Sequence, residues 1–142
     1  MRTISETQEE LAPRLRWAVT RMARRLRQEA GTDLGPSQVA ALATIERHGP
    51  LSPSELAERE RIKRPTATRI LGHLEEAGLV ERVKDPDDGR ASIVSISGGG
   101  RAHLKGLRAR KTAYVAKRLA AMDPKDRRTL ERAAELLEGM LE

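Results

Sequence analysis

Apolar side chains recur every three or four positions along most of the chain, and this recurrence predicts helices. Over residues 8–30 the apolar positions share one face, and Pro13 lies near the start, where a proline is tolerated. GTDLGP at 31–36 breaks this first helix. A second helix is expected from Pro36 to about His48. The stripe of the first helix consists of Leu11, Leu15, Ala18, Met22 and Leu26.

Two shorter helices are predicted after the second one. Ser52 and Glu55 have the spacing of a capping box, with proline at the first helical position between them, and this helix should continue to about residue 60. A short turn follows. Pro65 then begins the next helix, which should end at Gly78.

The pattern changes to strand type after this glycine. LVERVK at 79–84 and ASIVSIS at 91–97 are rich in residues that favour strands, and DPDDG between them is a cluster of turn residues. These two runs predict an antiparallel hairpin, with Val94 and Ile96 on one face.

Two helices are expected to complete the chain. The first follows SGGG and should extend from about Arg101 to Met122, and the second restarts at Asp123-Pro124. The last helix has its own apolar stripe, which consists of Leu130, Ala133, Ala134, Leu137 and Leu141.

Helix, turn, helix and hairpin follow one another in the order of a helix-turn-helix with a wing. We therefore predict a mainly α fold with a small β-hairpin wing, in which the helix that begins at Pro65 is the recognition helix. At about 100° per residue, its apolar positions gather on one side. They are Ala67, Ile70, Leu71 and Leu74.

The opposite side of the recognition helix has small and hydrogen-bonding residues. Arg69 suits the O6 and N7 atoms of guanine, and Gly72 leaves the middle of the helix thin enough for close approach. Glu75 and Glu76 lie only at the C-terminal end, whereas an ordinary amphipathic helix would have Glu and Lys along its whole outer face. The predicted DNA-binding residues of this helix are Arg64, Pro65, Thr66, Thr68, Arg69 and His73.

The wing tip, DPDDGR, places three aspartates beside one arginine. Asp85-Pro86 favours a turn, so part of this acidity serves the backbone. Asp88 lies two residues before Arg90, on the same side of an extended chain, and its carboxylate can hold the guanidinium. We expect this pair to aim Arg90 into a minor groove, with Lys84 also on the DNA; the alternative is a loose surface ion pair.

Composition narrows the class of protein. Lys and Arg number 27 against 21 Asp and Glu, so the formal net charge is +6, which favours a polyanionic partner. The absence of cysteine excludes disulfides and thiolate metal sites. No stretch approaches 18 consecutive apolar residues, and the charged N-terminus lacks the apolar segment of a secretory signal. A soluble, cytoplasmic protein without a membrane partner is expected.

At this point the motifs SELAE, TATRILGHLEEAGLVER and DPDDGR resemble those of the winged helix-turn-helix of the MarR (multiple-antibiotic-resistance regulator) family. The wing matches the family pattern D-P-x-D-x-R, with Asp88 and Arg90 at its fixed positions. Two places depart from the pattern. Arg61 and Lys63 stand where members often have a turn glycine and a capping Ser or Thr. The cysteine of the family's oxidation-sensing branch is also missing.

The resemblance implies an obligate homodimer, and the apolar stripes of the terminal helices agree because one small winged unit could not cover them. Such a dimer would place two recognition helices about one helical turn of DNA apart. The predicted division is an N-terminal dimerisation helix at 1–35, a DNA-binding unit at 36–100 and C-terminal dimerisation helices at 101–142. The predicted dimerisation residues are Leu11, Leu15, Met22, Leu130, Leu137 and Leu141.

The resemblance also implies an effector pocket between the dimerisation helices and the winged unit, where members often bind small aromatic or phenolic anions. Candidate lining residues are Arg14, Trp17, Arg47 and His48, although each is equally well explained as packing or surface.

The function predicted is a sequence-specific DNA-binding regulator, with a repressor on a pseudo-palindromic operator as its most concrete form. The alternative is a winged-helix protein-interaction module that binds no DNA. An enzyme is not expected because no catalytic constellation is present. No cofactor or metal is expected either, because the three histidines are far apart and DPDDGR lacks the ligands of a calcium loop.

Overall fold

Within residues 7–87, 89 and 92–142, which the computed structural model describes, the chain forms six helices and a two-stranded hairpin. The mainly α fold with a β-hairpin wing is confirmed. The elements are α1 (Gln8–Ala30), α2 (Pro36–His48), α3 (Pro53–Glu60), α4 (Arg64–Glu76), β1 (Val80–Lys84), β2 (Ser92–Ile96), α5 (Gly98–Ala120) and α6 (Pro124–Met140).

One apolar core holds α2, α3, α4 and the hairpin together. Leu42, Leu56 and Leu71 are fully buried in it, so truncating any one to alanine should cost about 2–5 kcal/mol of stability. Leu51, between α2 and α3, extends the hairpin by exchanging two backbone hydrogen bonds with Val94, at 3.0 and 2.7 Å. These bonds fix the hairpin against the helices.

The hairpin is antiparallel, with Val80 opposite Ile96 and Lys84 opposite Ser92. Val94 and Ile96 are buried, as the alternation predicted. The strand therefore presents one face to the core.

The predicted capping box at α3 is present. The Glu55 amide donates to Ser52 Oγ at 3.1 Å, and the Ser52 amide donates to Glu55 Oε1 at 3.2 Å. An equivalent box, not predicted, begins α1, where the Thr7 side chain accepts from the Glu10 amide. Pro13 then lies inside a helix that continues through it to Ala30.

Helix α5 begins at Gly98, three residues before the predicted Arg101. The glycines of SGGG belong to its first turn, and at Gly100 there is no room for a side chain. A Cβ on Gly100 would collide with the carbonyl oxygen of Leu79. Ser97 caps the helix by accepting from the Gly100 amide at 3.0 Å, and its hydroxyl donates to the Gly78 carbonyl at 2.6 Å.

The terminal helices bury little. Helix α1 packs along α5, and the Arg110 guanidinium donates to the carbonyl of Ala30, the one buried residue of α1 in the described chain. Helix α6 has no buried residue at all over Pro124–Met140. Arg127 ties its first turn to α5 by donating to the carbonyls of Leu119 and Met122, at 3.3 and 3.2 Å. The three-part division of the chain stays a prediction, and α5 runs across its boundary at residue 100.

Candidate nucleic-acid interface

Helix α4 presents the face that periodicity predicted as its outer one. Its apolar residues lie in the core, so the opposite side faces solvent along the whole helix. The exposed members of the predicted set are Arg64, Pro65, Thr68, Arg69 and His73, and Thr66 is half-buried at the flank. Gly72 lies among them, and a Cβ built on it meets no atom within 4 Å. A flat surface can therefore come close to the helix backbone at this point.

The two ends of α4 differ in charge. Lys63, Arg64 and Arg69 are exposed near the N-terminal end, and none of them forms an ion pair with any residue that the structure describes. The helix dipole adds partial positive charge at the same end. At the other end Glu75 is held by Arg82 at 2.7 Å. The N-terminal half of α4 is thus the part suited to an anionic partner.

The turn between α3 and α4 contains both departures from the family pattern. Arg61 adopts the left-handed conformation, with φ 54° and ψ 45°, which glycine usually takes. The Ile62 amide donates to the Ala57 carbonyl at 3.0 Å and closes the end of α3. Lys63 precedes α4 without any side-chain hydrogen bond to its first turn. The turn therefore forms, but Arg61 is strained and α4 lacks a side-chain N-cap.

The wing tip is turned by the chemistry that its sequence predicted. The Asp87 amide donates to Asp85 Oδ1 at 2.9 Å, which closes an Asx turn immediately after β1. Lys84 is exposed at the end of β1. Asp88 and Arg90 lie outside the described residues, so their pairing stays a prediction.

One contact between the wing and the recognition helix was not predicted. Arg82 of β1 donates from Nε to Glu75 of α4 at 2.7 Å. Both side chains are about one-third or more exposed, so the pair contributes at most about 1 kcal/mol. Its effect is orientational, because it joins the C-terminal end of α4 to the first strand of the wing. The only sign of this contact in the sequence is a pair of opposite charges seven residues apart.

The four residues proposed for an effector pocket lie in separate places. Trp17 is exposed on α1, with the Arg21 guanidinium 5.4 Å from its ring centre. Arg14 is also exposed on α1. Arg47 and His48 end α2 and line a different cavity, beside Arg108. The single chain thus does not bring the four together, and their effector role stays a prediction.

A cavity of about 650 Å³ lies elsewhere, between α1, α2 and α5. Its wall is largely apolar, with Arg24, Arg27 and Lys111 as the cations. Its other lining residues are Ala23, Leu26, Gln28, Ala30, Thr32, Leu34, Pro36, Val39, Ala40 and Leu107. Periodicity could not locate it, because α5, which contributes Leu107 and Lys111, is distant in the sequence from α1 and α2.

The predicted dimerisation residues lie on helices that leave apolar surface uncovered. Leu11, Met22, Leu130 and Leu141 are exposed, and Leu15 and Leu137 are half-buried. Exposed apolar side chains in such number indicate an interaction surface.

The described residues contain no group of three or more His, Cys, Asp or Glu side chains that could hold a metal ion. None of the helices in the described ranges is long and apolar enough to cross a membrane.

Comparison with known proteins shows which family has this architecture. The model of the MarR family matches residues 34–92, which contain α2 to α4 and the start of β2. An HTH-type transcriptional regulator of Mycobacterium bovis is 35% identical over 133 residues, which cover 93% of each chain. The chain belongs to the MarR family.

Solved structures share this fold. A transcriptional regulator from Pseudomonas aeruginosa is 36% identical, covers 96% of this chain and 98% of its own, and superposes with a TM-score of 0.85. A variant of S. aureus MepR bound to an oligodeoxyribonucleotide is 16% identical, with 93% and 98% coverage and a TM-score of 0.73, and so shares the fold. The repressor MdtR of Bacillus subtilis is 31% identical over 85 residues, 60% of this chain and 55% of MdtR.

The protein is therefore a DNA-binding transcriptional regulator that uses a helix-turn-helix, and not an enzyme. The resemblance that SELAE, the α4 segment and the wing motif indicated is confirmed.

Proposed function

We propose that this MarR-family protein is a repressor that binds a pseudo-palindromic operator as a homodimer. Helix α4 enters the major groove and the wing contacts the adjacent minor groove. The observation that carries this proposal is the outer face of α4, which is exposed, cationic in its N-terminal half and thin at Gly72. A face of this kind fits between the walls of a major groove.

Two kinds of contact follow from the positions along α4. Arg69 projects from the middle of the outer face, where a guanidinium can reach guanine O6 and N7, and Thr68 beside it suits a thymine methyl or a phosphate. Arg64 and Lys63 lie at the end of the helix, where cations meet the phosphates that flank the groove. Binding should thus contain a sequence-specific part and a salt-sensitive part.

The homodimer is supported by the terminal helices. Most of the stability of a helix in a protein comes from packing of its amphipathic face, yet α6 buries no residue against its own chain. A second copy supplies the missing surface and brings a second recognition helix, so a twofold operator follows from a twofold protein.

Repression is supported by a relative. MdtR is named a transcriptional repressor, and it matches this chain over a segment that makes up 60% of it. A dimer seated on an operator that overlaps a promoter excludes polymerase. Expression of a reporter gene driven by the native upstream DNA should therefore rise when this protein is deleted and fall when it is restored.

Ligand response is supported by the cavity between α1, α2 and α5. Its volume of about 650 Å³ lies in the range of small-molecule sites, and its apolar wall with Arg24, Arg27 and Lys111 suits a small aromatic or phenolic anion. Such a ligand should release operator DNA. Lys111→Met should weaken the response, whereas Lys105→Met, on another face of α5 and outside the cavity lining, should not.

Selection of bound sequences from random DNA tests the central proposal. We expect an inverted repeat with half-site centres about 10 base pairs apart. On that operator, Arg69→Ala should cost about 1–3 kcal/mol per half-site and relax specificity at one position. Arg128→Ala, which removes an exposed cation from α6, is the matched control and should leave affinity unchanged.

Two results would count against this reading. Equal weakening of all sequences by Arg69→Ala, with a smaller salt slope, would assign Arg69 to phosphate rather than to a base edge. No DNA retention at low salt would favour the alternative, a winged-helix protein-interaction module. The cationic half of α4 is the reason to expect retention.

A further inference from the structure

The ion pair between Glu75 of α4 and Arg82 of β1 carries one further inference, which concerns how the wing is placed beside the recognition helix. The Arg82 Nε atom donates to Glu75 Oε2 at 2.7 Å, and the two side chains are 35% and 42% exposed. Among the described residues, no other hydrogen bond or ion pair joins a side chain of α4 to a side chain of the hairpin. The pair is therefore a direct polar link between the two predicted DNA-binding elements.

Backbone contacts hold the base of the wing, and the ion pair holds its outer strand. Gly78, with a φ of 74°, turns the chain from α4 into β1. Leu51 holds β2 through its two bonds to Val94. Arg82 lies opposite Val94 on β1, which pairs with β2 on the side away from Leu51. The link to Glu75 thus acts on the strand that the bonds to Leu51 do not reach.

The position of Glu75 around α4 shows on which flank of the outer face the wing lies. Glu75 follows Thr68 by seven residues, so the two fall within about 20° of one another around the helix. Arg69 points about 100° away from Thr68, and His73 about 140° away in the same direction. The order across the outer face is therefore the wing, Thr68, Arg69 and His73.

We propose that Glu75 is a positioning residue, which touches no DNA itself but holds the wing at a set distance from the Thr68 flank of α4. The minor-groove site of the wing then lies next to the nucleotides that Thr68 faces, and the nucleotides that His73 faces lie farther from it. This inference rests on the binding mode proposed above, with α4 in the major groove and the wing in the minor groove. It adds the relative placement of the two contacts within a half-site.

The variant Glu75→Gln separates position from charge, because it breaks the ion pair and also removes a negative charge near DNA. On charge alone, this variant should bind operator more tightly. We expect it instead to bind up to about fivefold more weakly per half-site, the factor that corresponds to an exposed ion pair of about 1 kcal/mol. Fluorescence anisotropy measures the affinity, and circular dichroism checks that the helix content is retained.

Selection of bound sequences from random DNA gives the deciding result. The parent should prefer A·T pairs where the wing lies, because the minor groove distinguishes A·T from G·C and narrow A·T tracts attract arginine. Glu75→Gln should lose this preference, while the base preference that depends on Arg69 persists. A variant that was merely less stable would weaken both preferences together.

Interference mapping tests the order across the half-site. Base methylation and phosphate ethylation identify the nucleotides whose contact is lost in Thr68→Ala and in His73→Ala. The nucleotides lost with Thr68 should adjoin the A·T tract, and those lost with His73 should lie farther from it. Any other order would reject the placement of the wing on the Thr68 flank.

Two further variants complete the test. Glu81→Gln removes the same charge from β1, but Glu81 lies opposite Ser95 on the other face of the hairpin and forms no ion pair with any described residue. It is the matched control and should keep the A·T preference. Arg82→Gln should lose this preference as Glu75→Gln does, and the double variant should lose little more than Arg82→Gln alone.

Other results would overturn the inference, and they differ from a failure of the proposed function. Parent-like or tighter binding by Glu75→Gln, with the A·T preference intact, would mean that Glu75 only repels DNA. Equal weakening of all sequences by Arg82→Gln, with a smaller salt slope and no dependence on residue 75, would make Arg82 a phosphate contact. If the parent itself selects no sequence, the proposed function fails and the inference falls with it.

Discussion

Arg61 holds a backbone conformation that glycine usually adopts. Its φ of 54° lies in the left-handed region, where an L-residue is strained by about 1–2 kcal/mol. Arg61→Gly removes this strain but adds about 0.5–1 kcal/mol of unfolded-state entropy. We expect a net gain of about 0.5–1 kcal/mol in the free energy of unfolding, measured by urea denaturation.

Arg59→Gly is the matched control for this prediction. It removes the same charge two residues earlier, inside α3, where glycine should destabilise by about 1 kcal/mol. If the two variants shift stability in the same direction, charge and not backbone strain explains the effect of Arg61.

Gly72 separates helix stability from DNA binding. No atom lies within 4 Å of a Cβ built there, so Gly72→Ala should stabilise the protein by up to about 1 kcal/mol through helix propensity. Gly72→Gln should fold equally well, yet its side chain would stand between the α4 backbone and the base edges. Operator affinity, measured by fluorescence anisotropy, should fall for glutamine far more than for alanine. Parent-like affinity in the glutamine variant would place Gly72 outside the interface.

At the residue scale, the sequence predicted the features that depend only on residues close together in the chain. The capping box at Ser52 and the turn at Asp85 follow from neighbours in the chain, and both are present. The bond from Arg82 to Glu75 depends on how the wing folds back over α4, so it could not be derived from spacing alone.

At the scale of elements, the wing carries the sharpest prediction. Asp88 and Arg90 lie outside the described residues, and their pairing rests on the sequence. Arg90→Ala should weaken operator binding by about 1–3 kcal/mol per half-site. Asp88→Ala should also weaken it, although removal of a negative charge near DNA favours binding on simple electrostatic grounds.

A double-mutant cycle tests whether Asp88 acts by orienting Arg90 or only through its negative charge. Asp88→Ala should have little further effect once Arg90 is gone, because the aspartate then has nothing to orient. Tighter operator binding by Asp88→Ala alone would reject the orienting role. Asp87→Ala, at an exposed position in the same turn, is the control for charge alone.

The helices and both strands could be read from periodicity, but the start of α5 could not. Glycine-rich SGGG predicts a break, and by propensity alone that prediction was reasonable. The three glycines are nevertheless helical, and the carbonyl of Leu79 occupies the space that a side chain would need at Gly100. Tertiary packing overrides propensity here, and only the folded chain reveals the close approach.

For the whole molecule, the apolar stripes predict assembly. Light scattering should give twice the chain mass of 15.7 kDa at micromolar concentration. Melting temperature should rise with protein concentration, because a dimer is stabilised by mass action. Leu137→Lys, within the stripe, should reduce both effects. Leu136→Lys, also on α6 but off the stripe, should matter less, and a well-folded monomer at all concentrations would contradict the prediction.

The cavity is the part of the molecule that sequence reasoning missed. Lys111 lies more than 80 residues after Arg24 and Arg27, and nothing local in the sequence marks it as their neighbour. The residues that the family resemblance suggested for an effector, Trp17 and His48 among them, line two other cavities.

Helix α5 is also long and straight enough to carry a movement from one end to the other. Its 23 residues form a rod about 34 Å long, with no proline to bend it. One end is held against the segment between α4 and β1 by the close approach of Gly100 to Leu79 and by the bond from Ser97 to Gly78, and towards the other end Tyr114 packs against Arg25 of α1. A tilt of about 5° at one end displaces the other by about 3 Å over this length. In the proposed dimer, a displacement of this size would change the spacing of the two recognition helices relative to the turn of the double helix.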